Sequence, residues 1–365
     1  MHRIIALALL VSPLSADDLA DSIKVLRQVG PEALGNDAAS EAWKLVSKAQ
    51  PNQLVDLIRA LDGANPLAEN WLRAAVSAVD ERVAAQGETP AVALADYIKN
   101  REHGAGSRTL AYELLASRAP AEAEKLTDFF ADDPSASLRR YPVSKLMSEG
   151  DKLAATDKAA AIVAYKKALD SARDEDQIKP LAKKLRDLGE QVDLPKHFGF
   201  LMDWKLIAPF SNADGAGHDK VYPPEEKIDF DASYDGKGKQ AKWSAFTSKD
   251  DYGKVDFNKP FGMEKEVTGY AVADFYSPED RNAEIRLGCK NAWKVWLNGK
   301  LLFARDEYHR GAQLDQYKLP CALKKGKNVI LVKCSQNHQT EEWTVEWEFQ
   351  LRVCDSTGTA IPSQK

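Results

Sequence analysis

The chain has 365 residues, 44% of them hydrophobic and 29% charged, with a net charge of −5, four Cys and six His. Those figures exclude a disordered tail protein, a disulfide-stapled mini-domain and a strongly basic nucleic-acid binder. Lys and Arg number 25 against 30 Asp and Glu in residues 1–195, and 25 against 25 in 196–365, so neither part carries the excess that phosphate or an anionic membrane would require.

Length alone favours two domains over one core. Met1-His2-Arg3, the apolar run Ile4 to Val11 and the small-residue stretch Ser12-Pro13-Leu14-Ser15-Ala16 read as a signal peptide cut after Ala16, which predicts a secreted or periplasmic protein. The run is too short to span a bilayer, and no later segment approaches eighteen apolar residues, so no membrane insertion is expected.

Residues 17–195 hold 34 Ala, eight aromatic residues and no Cys, whereas 196–365 hold 14 Ala, 23 aromatics and all four Cys. The first part is helical by period: Leu54, Leu57, Ile58 and Leu61 form one apolar stripe, and Trp71, Ala74, Ala75, Ala78 and Val79 repeat it. Breakers recur at Gly30-Pro31, Pro51, Asn65-Pro66, Gly87 with Pro90, Gly104 with Gly106, Pro120 and Asp133-Pro134, which sets ordinary helix lengths. Short amphipathic helices in series predict a repeat-like, solenoid-type α-helical domain over 17–190. Its last unit, Ala161 to Leu169, resembles the second helix of a tetratricopeptide repeat, and earlier units resemble degenerate HEAT repeats. A linker over 191–202 follows, entered through the helix stop at Gly189 and left past Pro195.

From Asp203 the period becomes two. Trp343, Val345, Trp347, Phe349, Leu351 and Val353 alternate with polar residues, which predicts one long strand covering a core and places both Trp side chains inside. Ile330, Val332 and Cys334 form another inward row, and Asn298-Gly299 marks a hairpin joining 294–297 to 300–303. Further strands are expected at 204–210, 241–247, 268–276 and 283–288. About eight strands in 203–365 predict an antiparallel jelly-roll β-sandwich.

Val295-Trp296-Leu297-Asn298-Gly299-Lys300, Leu323 to Lys333, Trp204 to Phe210 and Tyr222-Pro223-Pro224-Glu225 resemble the galactose-binding-like β-sandwich, especially the sugar-binding modules attached to glycoside hydrolases and those in secreted planctomycete repeat proteins. The resemblance implies a ligand site on loops at one end of the sandwich. On that expectation Arg305, Asp306, Tyr308, His309 and Asp315 are the first candidates, because planar rings stack on sugar faces and polar side chains direct hydrogen bonds to hydroxyls. The bland alternative is a salt-bridged loop. Asn337 and His338, on a second loop, join the set if the two loops converge. Trp296 lies opposite Val295 and Leu297 on its strand, so it is either covered or an exposed platform.

Cys289, Cys321, Cys334 and Cys354 allow three disulfide pairings or free thiols, and their spacing does not suit zinc. Asp229, Asp231, Asp250 and Asp251 lack the pattern of a calcium loop, so no metal and no cofactor is expected. No nucleophile elbow, zincin motif, Walker loop or dinucleotide fingerprint occurs. The expectation is a non-enzymatic binding protein for carbohydrate or glycoconjugate. The alternative is a scaffold whose helical part holds a protein partner while the sandwich is structural.

Overall fold

A computed structural model describes residues 14–364, and the apolar run on which the signal-peptide reading rests lies outside them. The chain forms two compact units, Met1–Leu153 and Ala154–Lys365, the first helical and the second dominated by antiparallel sheets. The division falls well before the composition break near residue 195.

The helical unit contains α1 (Ala16–Arg27), α2 (Asn36–Val46), α3 (Leu54–Arg59), α4 (Pro66–Ala85), α5 (Ala91–Lys99), α6 (Ala105–Arg118), α7 (Pro120–Thr127) and α8 (Ala136–Leu153). The breakers named above fall at junctions or, like Gly106 of α6, within the first turn of a helix. Asn65 caps α4, its Oδ1 accepting from the amides of Leu67 and Ala68, with Pro66 in the first turn where a missing N–H costs nothing. The stripe Leu54, Leu57, Ile58 and Leu61 is buried as expected. On α4 the buried face is instead Leu72, Ala75, Val76, Val79 and Val83, because the stripe continues into the long C-terminal part of the helix and Ala74 turns outward. Among this apolar packing sits a fully buried ion pair: Arg108 donates to both Asp133 oxygens at 2.9 and 2.6 Å and through Nε to the Ile98 carbonyl at 2.8 Å. That bidentate geometry offsets the desolvation of both charges.

The second unit opens with α9 (Lys158–Ser171), α10 (Glu175–Asp187) and α11 (Leu194–Phe198). The segment similar to a tetratricopeptide helix is α9, which packs on α10 and belongs with the sheets. Twelve strands follow: β1 (Asp203–Ser211), β2 (Ser233–Asp235), β3 (Gln240–Lys242), β4 (Ser244–Thr247), β5 (Lys254–Asp256), β6 (Val267–Ser277), β7 (Arg281–Cys289), β8 (Ala292–Leu297), β9 (Lys300–Arg305), β10 (Tyr317–Leu323), β11 (Gly326–Gln336) and β12 (Glu348–Cys354). They form a six-stranded sheet in the order β4-β1-β6-β11-β8-β9, a four-stranded sheet β10-β7-β12-β5 and the small pair β2-β3. Period-two alternation turns Leu206, Ala271, Val295, Ile330 and Val332 of the larger sheet toward Ile285, Leu287, Phe349, Leu351 and Val353 of the smaller, and these side chains make one core. The β8–β9 hairpin turns at Asn298 and Gly299 with φ of 52° and 80°, the left-handed pair that the dipeptide predicts.

Two strand expectations are corrected. The segment 241–247 is broken into β3 and β4. The long strand read from Trp343 begins only at Glu348, and Glu342–Thr344 is a helical turn. Thr344 Oγ1 donates within that turn, and the carbonyls of Thr344 and Val345 accept from Gln336 Nε2 and Asn258 Nδ2, so this backbone is satisfied by side chains instead of a ladder. Trp347 is buried in the core, its indole N–H donating to the Cys334 carbonyl at 3.0 Å, whereas Trp343 is 60% exposed.

Candidate loop-end site

At one end of the sandwich, the chain leaves β1 at Asn212, leaves β9 into the loop 306–316 and leaves β11 into the loop 337–347. Backbone hydrogen bonds tie these exits together: Asn212 N donates to the Glu266 carbonyl at 2.7 Å, Glu266 N to the Asn337 carbonyl at 2.9 Å and His309 N to the Lys290 carbonyl at 2.5 Å. The two loops expected to converge therefore do so.

Their side chains meet. His309 Nε2 lies 3.0 Å from Asn337 Oδ1, which also accepts from the Gln339 amide. Asn337 Nδ2 donates to Gln339 Oε1 at 2.9 Å, so the amide oxygen is the atom facing the imidazole and Nε2 must carry the hydrogen. The Trp343 indole stands edge-on to that imidazole, with centroids 5.3 Å apart and planes at 84°. Tyr308 is next, its ring centroid 6.2 Å from His309, and its hydroxyl accepts from the Nδ2 of buried Asn212 at 3.0 Å. Burial pushes the Tyr308 phenol up to about 12, so it stays a neutral hydroxyl. The result is an exposed indole face beside an imidazole, an amide and a phenol, a set that stacks on a planar face and exchanges hydrogen bonds with hydroxyls.

The remaining expected residues separate. Arg305, the last residue of β9, and Asp306, the first of the loop, are exposed, Arg305 paired with Glu307 at 2.7 Å, and His338 is exposed beside Asn337. Asp315 is not at the loop end: it is locked between Arg286 and Arg352 on the four-stranded sheet. Trp296 is 9% exposed and belongs to an apolar cluster on the outer face of the larger sheet, beside Leu331 and Val272 in register, so it offers no stacking platform. The exposed indole at this end is that of Trp343, which alternation assigns to the core. Asn212, the buried anchor of Tyr308, carried no sequence signal. All four cysteines are free thiols. Among the described residues no group of three or more His, Cys, Asp or Glu side chains could hold a metal ion, and no helix is long and apolar enough to cross a membrane.

No family model matches the chain, and no curated protein does. Among solved structures it is similar over short stretches to a β-glucosidase from Kluyveromyces marxianus in complex with glucose (18% identity, 24% of this chain and 11% of that one, TM-score 0.19). It is similar likewise to the GH31 α-xylosidase of Xanthomonas citri (9% identity, 32% of this chain and 15% of that one, TM-score 0.22). A family 35 carbohydrate-binding module from Clostridium thermocellum shares 14% identity over 24% of this chain and 71% of its own, with a TM-score of 0.18. The chain thus matches only 11% and 15% of the two enzymes' lengths.

Proposed function

We propose that the protein is an exported, non-enzymatic binding protein whose jelly-roll, galactose-binding-like sandwich takes carbohydrate or glycoconjugate at the loop end. The observation that carries the reading is the exposed Trp343 indole held against His309, with Asn337 and Tyr308 beside it. A stacking face flanked by directional polar groups is what a pyranose ring requires. The test is a glycan array and titration with the full chain, wild type beside Trp343→Ala and His309→Ala. Saturable binding that weakens at least about tenfold in Trp343→Ala, equivalent to about 1.4 kcal/mol, supports it. A folded wild type that binds nothing on a broad array overturns it.

A second reading rests on the helical unit. A hollow of about 480 Å³ there is lined by Val29, Ala33, Leu67 and Trp71, and Leu34 is exposed beside the Pro31–Gly35 turn. Exposed apolar side chains of this kind favour a protein partner. In that case binding survives Trp343→Ala and is lost in Leu67→Ser, measured with the purified partner.

A further inference from the structure

The two larger sheets end on four outer strands, and three of these are guarded against pairing with a foreign strand. β4 has four residues and β5 three, which leaves little edge to template a neighbour, and β10 carries Lys318 and Pro320 at exposed positions. β9 is the exception. It runs for six residues, Lys300–Arg305, without proline, and its four central residues, Leu301, Leu302, Phe303 and Ala304, are uncharged. Among the described residues no strand is hydrogen-bonded to its outer side, which therefore presents free N–H and C=O groups.

Apolar side chains are open on the same edge: Leu301 is 46% exposed and Phe303 41%. Leu301 sits opposite Trp296 on the outer face of the sheet, whereas Phe303 sits opposite Val295 on the core face, its ring 5.8 Å from that of buried Trp293. Between them the ladder slips by one residue at Leu302, and this bulge sends the two side chains to opposite faces. A strand added beside β9 covers apolar surface above and below the sheet plane while it takes up the main-chain hydrogen bonds.

Charge selects the occupant. Lys300 and Arg305 stand at the two ends of the apolar segment. Lys300 has no ion-pair partner among the described residues, and Arg305 has only its surface pair with Glu307, which is weak enough to exchange. A second copy of this chain fits the edge poorly. The antiparallel register that keeps the side chains of two copies on matching faces is centred between Leu302 and Phe303 and sets Lys300 against Arg305, while a parallel register sets each cation beside its own counterpart. A strand with an acidic residue at each end neutralises both cations instead.

We propose that β9 is a docking edge for an extended segment of another protein, acidic at both ends and apolar or β-branched over the four residues between, bound by strand addition to the larger sheet. Main-chain hydrogen bonds supply the affinity, and Lys300, Arg305, Leu301 and Phe303 supply the selectivity. The surface is independent of sugar binding at the loop end.

The test is an array of blocked peptides probed with the full chain. The four central positions of each peptide are drawn from Val, Ile, Thr, Phe and Tyr, and both flanks are Glu, Lys or Ser. The strongest binder is then titrated by fluorescence anisotropy, as itself and with its central amides N-methylated, against wild type, Lys300→Glu and Phe303→Lys. Thermal melts report folding, hydrogen exchange the location and light scattering the mass. Lys300 is exposed, so its variant keeps the fold even if Phe303→Lys does not. The expected result is that Glu-flanked strands bind at least tenfold tighter than Lys-flanked ones, that N-methylation abolishes binding, that residues 300–305 gain protection, and that Lys300→Glu cuts the flank preference fivefold or more. A folded wild type that binds no strand, or binding indifferent to the flanks, to N-methylation or to Lys300→Glu, overturns the proposal. A wild-type dimer with residues 300–305 protected gives the edge to a second copy and overturns it too.

Discussion

Asp315 accepts two hydrogen bonds from the Arg352 guanidinium, each at 2.6 Å, and a third at 2.6 Å from Arg286. Both arginines are buried, and Arg352 also donates to the carbonyls of Phe198 and Gly358 at 2.9 and 3.0 Å. The cluster therefore fixes the end of the loop 306–316, the turn at Gly358 and the exit of α11 on one sheet face.

Breaking such a cluster from one side leaves charge buried without a partner. Asp315→Ala is expected to destabilise the sheet unit by about 3–5 kcal/mol, read as a shift of its urea midpoint. The pH dependence has a definite sign. Burial alone would raise the Asp315 carboxyl, but hydrogen bonds and charge from Arg352 and then Arg286 outweigh it and hold the group below its usual range. Its contribution is full above the unfolded value of about 3.9 and is lost as pH falls through the lower folded value. Urea midpoints between pH 5 and pH 2 should fall more steeply in wild type than in Asp315→Asn; equal slopes would refute the assignment.

The hairpin at Asn298-Gly299 is legible in the sequence because that turn is decided by two adjacent residues, and β6 and β11 because apolar residues recur at every second position, although both strands are buried on both faces for most of their length. β10 escaped notice because it is an edge strand with Pro320 inside it and little burial on its outward side, which period-two reading cannot separate from a loop. Trp343 was misplaced for the opposite reason. The alternation from Trp347 onward extends by chance across 343–346, where long-range bonds from Gln336 and Asn258 hold a turn. His309 and Asn337 were legible as candidates because both lie on polar loops, but only the fold brings them 3.0 Å apart.

Lys333 on β11 is buried on the outer face of the larger sheet, where its ammonium meets Glu225 at 2.8 Å and the Lys220 carbonyl at 2.8 Å. Tyr270 donates to the same Glu225 carboxylate, so one ionic knot ties the segment 220–225 to the sheet. Burial lowers the Lys333 pKa, and the Glu225 hydrogen bond opposes that. Lys333→Met is expected to cost about 3–5 kcal/mol by leaving Glu225 unpaired, and Lys333→Met with Glu225→Gln much less than the sum of the single changes. A double-mutant cycle by urea unfolding checks this, and additive costs would dissolve the pair.

Cys289 of β7 and Cys334 of β11 face each other across the core with their sulfurs 3.9 Å apart, both buried. Burial, followed by the neighbouring Cys289 thiol, raises Cys334 well above the ordinary thiol range. Cys321 is partly exposed, and burial pushes it up to about 11, as it does the buried Cys354. Thiolate fraction and access together set alkylation rate. Iodoacetamide on the native protein at pH 8 should therefore label Cys321 first and slowly, with the other three reacting only on unfolding. Peptide mapping that finds Cys289 or Cys334 labelled first would contradict the packing.

His197, in α11, is held neutral. Burial, then the positive charge of Arg173, lowers its pKa from the ordinary 6.5 to about 4. Because the folded chain resists protonation that the unfolded chain accepts, stability is full above about 6.5 and declines as pH falls toward 4, below which the loss levels off. Over that window the decline is about 2–3 kcal/mol, allowing for the partial exposure of the ring. His197→Gln cannot take up a proton, so its urea midpoint should stay flatter between pH 6.5 and 4 than that of wild type. Parallel curves for the two proteins would show that His197 titrates normally in the folded state and that its ring is open to water.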